Sequence, residues 1–158
     1  MNPKDLQIIS HLRRDARVSL TKLSKSTQIP VSTIYDRIKS NEQQYIKKHT
    51  ALIRFDKLGY NVRANFSIRV DPKEKEDLKE HLMRHRSVNS LYRVSGEHDF
   101  MVECIFKEMR DSEDFIQSLV ERFTIRDYKS FFIVEDVKRE SFLADPELAD
   151  LHLGKEGH

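Results

Sequence analysis

Residues 92–100 read Tyr92-Arg93-Val94-Ser95-Gly96-Glu97-His98-Asp99-Phe100, a glycine-and-acid turn set between two apolar alternations. These alternations run from about Val88 to Ser95 and from about Phe100 to Lys107, so they predict two strands joined as a hairpin. Gly96 leaves backbone N–H groups open to a carboxylate, and the Asp99 carboxylate is suited to an ammonium. The turn therefore predicts either a site for the zwitterionic end of an amino acid or a simple hairpin turn with solvated acids.

A strand and a helix are expected before this hairpin. Val62 to Val70 alternates apolar and polar residues over nine positions, which predicts a strand with one covered face. Asp71-Pro72-Lys73-Glu74 then supplies an N-cap and a first-turn proline, so a helix is expected to start there. Leu78 and Leu82 give that helix a narrow buried stripe.

A helix and a strand are also expected after the hairpin. Asp111 or Ser112 is expected to cap the helix, and a last strand is expected from about Tyr128 to Lys138. The residues of this helix expected to face inward are Phe115, Ile116, Leu119, Val120 and Phe123. The order βαββαβ over residues 62–139 predicts a ferredoxin-like domain.

The last strand predicts association. Both helices of a ferredoxin-like domain should cover one face of the sheet, which leaves the other face uncovered. In the strand, Phe131, Ile133 and Val137 point one way while Phe132 and Val134 point the other, so neither face is polar. Because a large apolar patch usually marks an interface, the helix-free face is expected to pack on a second copy in a homodimer.

The first fifty residues predict three helices. Asn2 and Pro3 start the first helix, in which Leu6, Ile9 and Leu12, with Ile8 flanking, recur at helical spacing up to Arg14. Ser19 is expected to cap the second helix, with Leu20 and Leu23 inward, which ends near Thr27 and Gln28. Ile29-Pro30 opens a third, from about Val31 to Lys39 or beyond, with Ile34 and Ile38 on its buried face.

The tight turn between the second and third helices predicts a helix-turn-helix, whose second helix would lie in the major groove of DNA. Hydrogen-bonding side chains cover the rest of that helix, and the candidate DNA contacts are Ser32, Thr33, Tyr35, Asp36, Arg37 and Lys39. A three-helix unit that binds a protein instead remains open.

A wing and a linker are expected next. Tyr45 and Ile46, then Thr50, Leu52 and Ile53, favour strand structure, with Lys47 and Lys48 at the bend between them. The two lysines either neutralise DNA phosphates or guard an exposed strand edge. A winged helix-turn-helix is therefore expected over residues 1–50, a connecting strand and linker over 51–61, and a short helix or loose tail over 140–158.

Charge is distributed unevenly along the chain. Residues 1–60 contain 12 Lys/Arg and 5 Asp/Glu, a net +7, whereas residues 61–158 contain 16 and 21, a net −5. This asymmetry favours a basic module for a polyanion joined to a module with another task, although a solvated basic surface is the alternative. The single Cys104 excludes an intrachain disulfide, and no apolar run approaches the roughly 18 residues of a membrane span. A cytoplasmic protein without a membrane segment is expected.

Few residues indicate metal binding or catalysis. His81 and His85 are spaced i, i+4, but no third ligand is evident, so we expect surface histidines and no metal site. Glu97, His98 and Asp99 crowd one turn, yet sequence neighbours on a hairpin rarely converge on one substrate atom. We therefore expect no catalytic residue and no cofactor. Two alternatives stay open: a metabolic sensor whose basic domain binds a protein, and a small enzyme that uses the Glu97–Asp99 cluster.

Three segments in order resemble the Lrp/AsnC family of bacterial and archaeal transcription regulators. Leu23-Ser24-Lys25 with residues 29–39 (IPVSTIYDRIK) resembles the family's helix-turn-helix, residues 92–100 resemble its effector-binding hairpin, and residues 130–138 (SFFIVEDVK) resemble its last strand. The resemblance implies dimers that often form octamers, DNA binding near promoters, and amino-acid effectors bound between dimers. It makes Gly96, Glu97, His98, Asp99 and Ser130 the candidate effector-binding residues.

The chain departs from the family pattern at two turns. Gln28 stands where the family usually has glycine between the two helices. Asn41-Glu42 and then Gln43-Gln44-Tyr45 stand where it usually has a leucine-glutamate pair and a glycine before the wing. Because glycine favours left-handed backbone, these turns are expected to be looser or differently shaped here.

The expected fold class is α+β, a winged helix-turn-helix followed by a ferredoxin-like βαββαβ domain. The expected function is sequence-specific binding of double-stranded DNA to regulate transcription, modulated by an amino acid or a related small molecule.

Overall fold

The computed structural model describes residues 2–149 and residue 151. These residues form two compact units. The helical unit comprises residues up to 52 and from 137 on, and the sheet unit comprises Ile53–Asp136.

Three helices form the main part of the helical unit: α1 at Pro3–Arg14, α2 at Leu20–Thr27 and α3 at Val31–Gln44. Asn2 and Ser19 cap the first two as predicted, because their side-chain oxygens accept hydrogen bonds from Lys4 N at 2.9 Å and Lys22 N at 3.2 Å. The buried core of the three helices consists of Ile8, Leu23, Ile29 and Ile34.

The predicted stripe on α1 is wrong in one respect. Ile8 is the fully buried core residue, whereas Ile9, expected to face inward, is only half-buried. The reason is that α1 is covered on two sides. Leu6 and Ser10 are also buried, and a one-turn helix near the end of the chain, α6 at Pro146–Ala149, packs against α1.

The C-terminal tail is therefore packed rather than loose over its described part. Ala149 in α6 is fully buried. The rest of the predicted tail, residue 150 and residues 152–158, lies outside the described residues.

No strand forms where the wing and the connecting strand were expected, over residues 45–53. Helix α3 runs to Gln44, the chain up to residue 54 has no regular structure, and a 3₁₀ turn follows at Phe55–Leu58. An isolated strand has no backbone partner, and the described part of the helical unit contains no second strand with which it could pair.

The sheet unit has the predicted order, βαββαβ. Its elements are β1 at Val62–Val70, α4 at Lys75–Arg84, β2 at Val88–Arg93, β3 at Phe100–Phe106, α5 at Met109–Arg122 and β4 at Ile125–Phe132. The strands form one antiparallel sheet in the order β2-β3-β1-β4, which is the ferredoxin-like arrangement.

Several predicted element boundaries are wrong. The predicted cap of α5 was Asp111 or Ser112. Helix α5 starts instead at Met109, because Glu108 is its N-cap and forms a capping box with Asp111. Strand β4 starts three residues earlier than expected and ends at Phe132 instead of Lys138. Helix α4 starts at Lys75, after a 3₁₀ turn that Asp71 caps through Lys73 N at 3.0 Å.

The helices cover one face of the sheet. On that face β1 contributes Ala64, Phe66, Ile68 and Val70, which pack with Leu78 and Leu82 of α4 and with Phe115, Ile116 and Leu119 of α5. Val120, predicted to face inward, is 47% exposed. Cys104 is buried in this core, and burial raises the pKa of its thiol to about 12, so it behaves as an inert apolar residue.

The two phenylalanines of β4 lie on opposite faces, as the alternation predicts. Phe131 is opposite Asn65 on the helix-free face, and Phe132 is opposite Ala64 on the helix side. Both are exposed, at 54% and 43%, and β4 is an edge strand of the sheet. Ile133, Val134 and Val137 lie beyond the strand, so their predicted alternation does not form.

Candidate functional sites

The turn between α2 and α3 is tight. Gln28 takes the left-handed conformation, with φ 58° and ψ 25°, and its backbone N–H donates to Ser24 O at 3.0 Å. Its side-chain Nε2 donates to Lys25 O at 3.0 Å. The expectation of a looser turn is therefore wrong: glutamine keeps the left-handed backbone, at a cost of about 1–2 kcal/mol relative to glycine before that side-chain bond is counted.

One face of α3 is exposed and polar. It carries four of the predicted DNA contacts, Ser32, Tyr35, Asp36 and Lys39, while Thr33 is half-buried. The Lys39 ammonium lies 4.6 Å from the centre of the Tyr35 ring, a cation–π contact that holds both side chains along the helix. Because α3 continues past Lys39 to Gln44, exposed Gln43 extends the same face by one turn.

The sequence predicted Arg37 on this exposed face, but Arg37 points toward α1 instead. Its Nη1 donates to Asp5 Oδ1 of α1 at 2.9 Å, and the side chain is 28% exposed. Its Nε is buried without a hydrogen-bond partner. Arg37 therefore joins α3 to α1, and whether it also contacts DNA stays a prediction.

Lys47 and Lys48 lie just beyond α3, and both are exposed. The backbone N–H groups of Tyr45 and Ile46 both donate to Asn41 O at 2.8 Å, which ends the helix. His49, the residue after the two lysines, has its Nε2 3.0 Å from Glu42 Oε1 of α3, and this contact holds residues 45–49 close to the helix. Since the described residues of the segment form no strand, the lysines guard no sheet edge, and the phosphate role stays a prediction.

The predicted effector turn closes between β2 and β3. Val94 N donates to Asp99 O at 3.0 Å, and Asp99 N donates to Ile68 O of β1 at 2.9 Å. Gly96 has φ +110°, a conformation that L side chains rarely adopt, and a Cβ built there would meet nothing within 4 Å. The backbone at Gly96 is thus open to approach from outside.

Both carboxylate oxygens of Asp99 are already bonded. Oδ2 accepts from Val70 N at 3.0 Å, and Oδ1 lies 2.6 Å from Lys75 Nζ. Burial acts to raise the pKa of Asp99, but the hydrogen bonds from Lys75 and Val70 together hold it below its ordinary value. Asp99 thus clamps the turn onto β1 and α4. An incoming ammonium would have to displace Lys75.

The turn also contacts β4. His98 Nε2 lies 2.9 Å from Asp127 Oδ2, and Glu97 Oε2 lies 3.5 Å from Lys129 Nζ. Ser130 is exposed but lies opposite Phe66, on the helix side of the sheet, whereas Lys129 is on the helix-free side. Within one chain, the structure therefore brings residues 96–99 together but does not bring Ser130 to them.

Sequence reasoning missed Lys75, Asp127 and Lys129 as partners of this turn. They lie 24, 29 and 32 residues from Asp99, His98 and Glu97. No local pattern signals such pairs, because each depends on strand register and helix placement.

His81 of α4 and His85, the C-cap of α4, were predicted to be surface histidines, and both are half-buried. The His81 ring centre lies 5.5 Å from that of Phe123, and the His85 ring centre lies 4.9 Å from that of Phe115. Burial lowers the pKa of both imidazoles. Among residues 2–149 and 151, no group of three or more His, Cys, Asp or Glu is arranged to hold a metal ion.

None of the helices described here is both long enough and apolar enough to cross a membrane.

Two family models match the sequence. Residues 1–40 match a family described as winged helix-turn-helix DNA-binding, and residues 63–143 match one described as the Lrp/AsnC ligand binding domain. The first range contains α1, α2 and most of α3, and the second contains the whole sheet with the turn of residues 94–99.

Relatives by sequence are transcriptional regulators. An uncharacterized HTH-type transcriptional regulator of Pyrococcus furiosus is 30% identical over 143 residues, which cover 90% of this chain and 96% of that protein. The HTH-type transcriptional regulator FL11 of the same organism is 32% identical over 113 residues, which cover 71% of this chain and 75% of FL11.

Solved structures share the fold. A transcriptional regulator from Neisseria meningitidis in complex with L-Met has a TM-score of 0.80 at 20% identity, covering 88% of this chain and 93% of that chain. LrpC of B. subtilis has a TM-score of 0.78 at 22% identity, covering 87% of this chain and 97% of that chain.

Proposed function

Since the chain belongs to the Lrp/AsnC family of transcriptional regulators, we propose that α3 enters the major groove of double-stranded DNA and that the turn of residues 94–99 holds an amino acid or a close relative of one. Its helix-turn-helix and Lrp/AsnC ligand-binding domains make it a DNA-binding transcription regulator modulated by a ligand.

The exposed face of α3 is the observation that best supports DNA binding. Tyr35 and Lys39 stand side by side on it, Ser32 and Asp36 flank them, and the underside of the helix is held by Ile34 and by the Asp5–Arg37 pair. A rigid helix with donors and acceptors on its outer face is what base-edge recognition requires. Lys47 and Lys48 follow at its end, and residues 1–60 carry a net +7, which suits phosphate contacts.

The salt dependence of binding tests this proposal, because a steep slope favours DNA over a protein partner. Against a duplex selected from a random pool by the parent protein, Lys47→Ala with Lys48→Ala is expected to reduce the slope of log affinity against log salt by about two. A scrambled duplex should lose affinity equally, because phosphate contacts carry no sequence information. Tyr35→Ala is expected to weaken only the selected duplex, by about 1–3 kcal/mol.

The matched control removes two charges from the sheet unit: Lys57→Ala with Lys73→Ala, both exposed. It should leave the slope within about half a unit of the parent, since only lysines that touch phosphates release counterions. A parent that binds no duplex, or equal slopes for the two double variants, would contradict the DNA proposal.

The open backbone at Gly96 supports the effector proposal. Backbone N–H groups at such a turn can hold a carboxylate, and the clamp by Asp99 keeps the turn in shape. The Neisseria meningitidis regulator, whose structure contains L-Met, makes that amino acid the first compound to try. His98 and Glu97 would then set selectivity from the side of β4.

We propose no enzymatic activity and a cytoplasmic location, where bacterial and archaeal DNA lies. The acid–base cluster that would favour an enzyme is committed to structural contacts, because Asp99 is bonded to Lys75 and Val70 and His98 is bonded to Asp127. Catalytic turnover that is present in the parent protein and absent in Asp99→Asn would favour an enzyme instead.

The exposed apolar residues support a homodimer. On the helix-free face, Tyr92 of β2, Met101 of β3 and Phe131 of β4 are exposed. A second patch lies on the helix side of the edge strand, where Val120, Tyr128 and Phe132 are exposed. We propose that the first patch forms the dimer and the second joins dimers into a larger assembly such as an octamer.

Two glutamate substitutions separate these patches. Phe131→Glu is expected to give folded monomers, whereas Phe132→Glu, with the same added charge on the opposite face, is expected to leave dimers that no longer assemble further. Burying an unpaired charge in an interface should weaken it at least about 100-fold. Light scattering of the full-length chain distinguishes the three sizes. A monomeric parent protein would contradict the assembly proposal. A dimeric Phe131→Glu variant would mean that the dimer interface does not include Phe131.

A further inference from the structure

Helix α1 is buried on two sides, although the helix-turn-helix core needs only one. Ile8 and Leu12 face α2 and α3. Leu6 and Ser10, four residues apart on the far side of the helix, are 1% and 0% exposed. What covers that side includes α6, which packs against α1 with Ala149 fully buried.

Arg13 lies on the same far side, three residues after Ser10, and binds the C-terminal part of the chain. Its Nε donates to Phe142 O at 2.6 Å, and its Nη2 donates to Glu140 Oε2 at 3.4 Å. Residues 137–149, which we name the C-terminal strap, are thus held on α1 by a polar contact at one end and by the packing of α6 at the other.

The strap is the second place where the chain crosses between its two units. The first crossing is at residues 52–53 and the second is at residues 136–137. Just before the second crossing, Asp136 is bound by Arg63 of β1, four residues after β4 ends at Phe132. The strand that contacts the candidate effector turn therefore runs directly into the segment that is fixed on α1.

The strap also contains strained backbone. Glu140 and Leu143 have φ values of 49° and 59°, the left-handed region that costs a non-glycine residue about 1–2 kcal/mol. Such residues keep this conformation only while surrounding contacts impose it, and the bonds of Arg13 to Glu140 and Phe142 are such contacts. Loss of these contacts should therefore let the strap leave this conformation.

We propose that the C-terminal strap positions the helix-turn-helix, so that a change at β4 alters the placement of α1 and, through the Asp5–Arg37 pair, that of α3. The strap is then a coupling element between the ligand-binding sheet and DNA, in addition to the linker near residue 53. The inference rests on the proposed function for its DNA readout and on the contacts of Arg13 for everything else.

Arg13→Ala and Arg14→Ala form a matched pair. Both remove one positive charge from the same end of α1, but Arg14 is exposed and makes no described hydrogen bond or ion pair with the strap. In the full-length chain, Arg13→Ala is expected to speed tryptic cleavage after Lys138 and Arg139 about tenfold, while cleavage after Lys47 and Lys48 stays unchanged as an internal reference.

DNA affinity supplies the second readout. Arg13→Ala is expected to bind the selected duplex about tenfold more weakly than Arg14→Ala does. A factor of about ten lies within the range that is typical of coupling between distant sites. By reciprocity, the same duplex should slow cleavage of the parent's strap and not that of Arg13→Ala. Glu140→Arg combined with Arg13→Glu restores the ion pair but not the bond to Phe142 O, and should recover part of the DNA affinity that Arg13→Glu alone loses.

Each outcome decides between the proposals. If the parent binds DNA but Arg13→Ala and Arg14→Ala behave alike in both readouts, the strap inference fails and the proposed function stands. If the parent binds no duplex, the proposed function fails and the coupling fails with it. Faster cleavage in Arg13→Ala with unchanged DNA affinity would make the strap a structural cover of α1 without a role in positioning.

Discussion

Replacing Asp99 with alanine is expected to lower the free energy of unfolding of the sheet unit by about 3 kcal/mol. The change removes a charge-assisted bond to Lys75 and leaves the N–H of buried Val70 without an acceptor, each of which costs about 1–3 kcal/mol. Hydrogen exchange of β1 and β3 amides in the full-length chain measures this loss without assuming that both units unfold together.

Glu97→Gln is the control on the same turn. Glu97 is 66% exposed and 3.5 Å from Lys129, so its replacement should cost less than about 0.5 kcal/mol. Equal losses in the two variants would mean that Asp99 is not the clamp of this turn.

The Asp99 contribution should also depend on pH with a defined sign. Because the pKa of Asp99 in the folded chain lies below its unfolded value of about 3.9, its stabilisation is complete above that pH. It is lost as the pH falls through the folded pKa. The stability difference between the parent and Asp99→Asn is therefore expected to be constant from about pH 6 to 8 and to shrink below about pH 4.

The same turn tests effector binding separately from the clamp. Gly96→Val should block the left-handed turn and the approach of a carboxylate, and so abolish the heat of binding of an amino acid such as L-Met. Effector-free DNA binding should remain nearly unchanged in this variant, because the substitution lies in the other unit. Calorimetry across the amino acids that shows no heat for the parent would leave the turn as a purely structural feature.

Arg37→Ala is the second large effect that we expect, about 1–3 kcal/mol in the stability of the helical unit. Arg37 and Asp5 are 28% and 14% exposed, so loss of the guanidinium leaves a mostly buried carboxylate without its partner. Hydrogen exchange of α1 and α3 amides should show the loss, and affinity for the selected duplex should fall as α3 loses its support.

Asp5→Ala separates a structural Arg37 from one that contacts bases. If Arg37 acts through Asp5, the two variants should lower both stability and DNA affinity to similar extents. If only Arg37→Ala weakens DNA binding, at matched stability and in a sequence-dependent way, Arg37 reads the groove directly and its pair with Asp5 is secondary.

Local patterns in the sequence were enough to predict the first three helices and the elements of the sheet unit, with their order. Strand β1 was predicted from alternation over Val62–Val70 and was confirmed at those bounds, and Asn2 and Ser19 were confirmed as helix caps. These features depend on residues a few positions apart, because backbone periodicity and capping are local properties of the chain. The order βαββαβ and the family resemblance then followed, and both are confirmed.

Element ends could not be predicted where a partner decides them. The pattern that predicted the last strand continues to Lys138, but β4 ends at Phe132, which lies opposite Ala64 near the start of β1. One further bond, from Ile133 N to Arg63 O, is the last that β1 can offer. A strand lasts only as long as its neighbour, and the wing residues, with no neighbour in the described chain, form no strand at all.

By itself, then, the sequence determined the α+β class, the helix-turn-helix and the position of the hairpin turn, since each follows from spacings within about one helix or strand. Only the tertiary structure decided what the charged residues of the sites do. It turned Arg37 toward Asp5, 32 residues away, bonded Asp99 to Lys75 and Val70, and brought Glu140 back to Arg13 across 127 residues. The partner of a charged side chain is set by the residues that tertiary packing brings close to it. These residues follow no periodic pattern in the sequence.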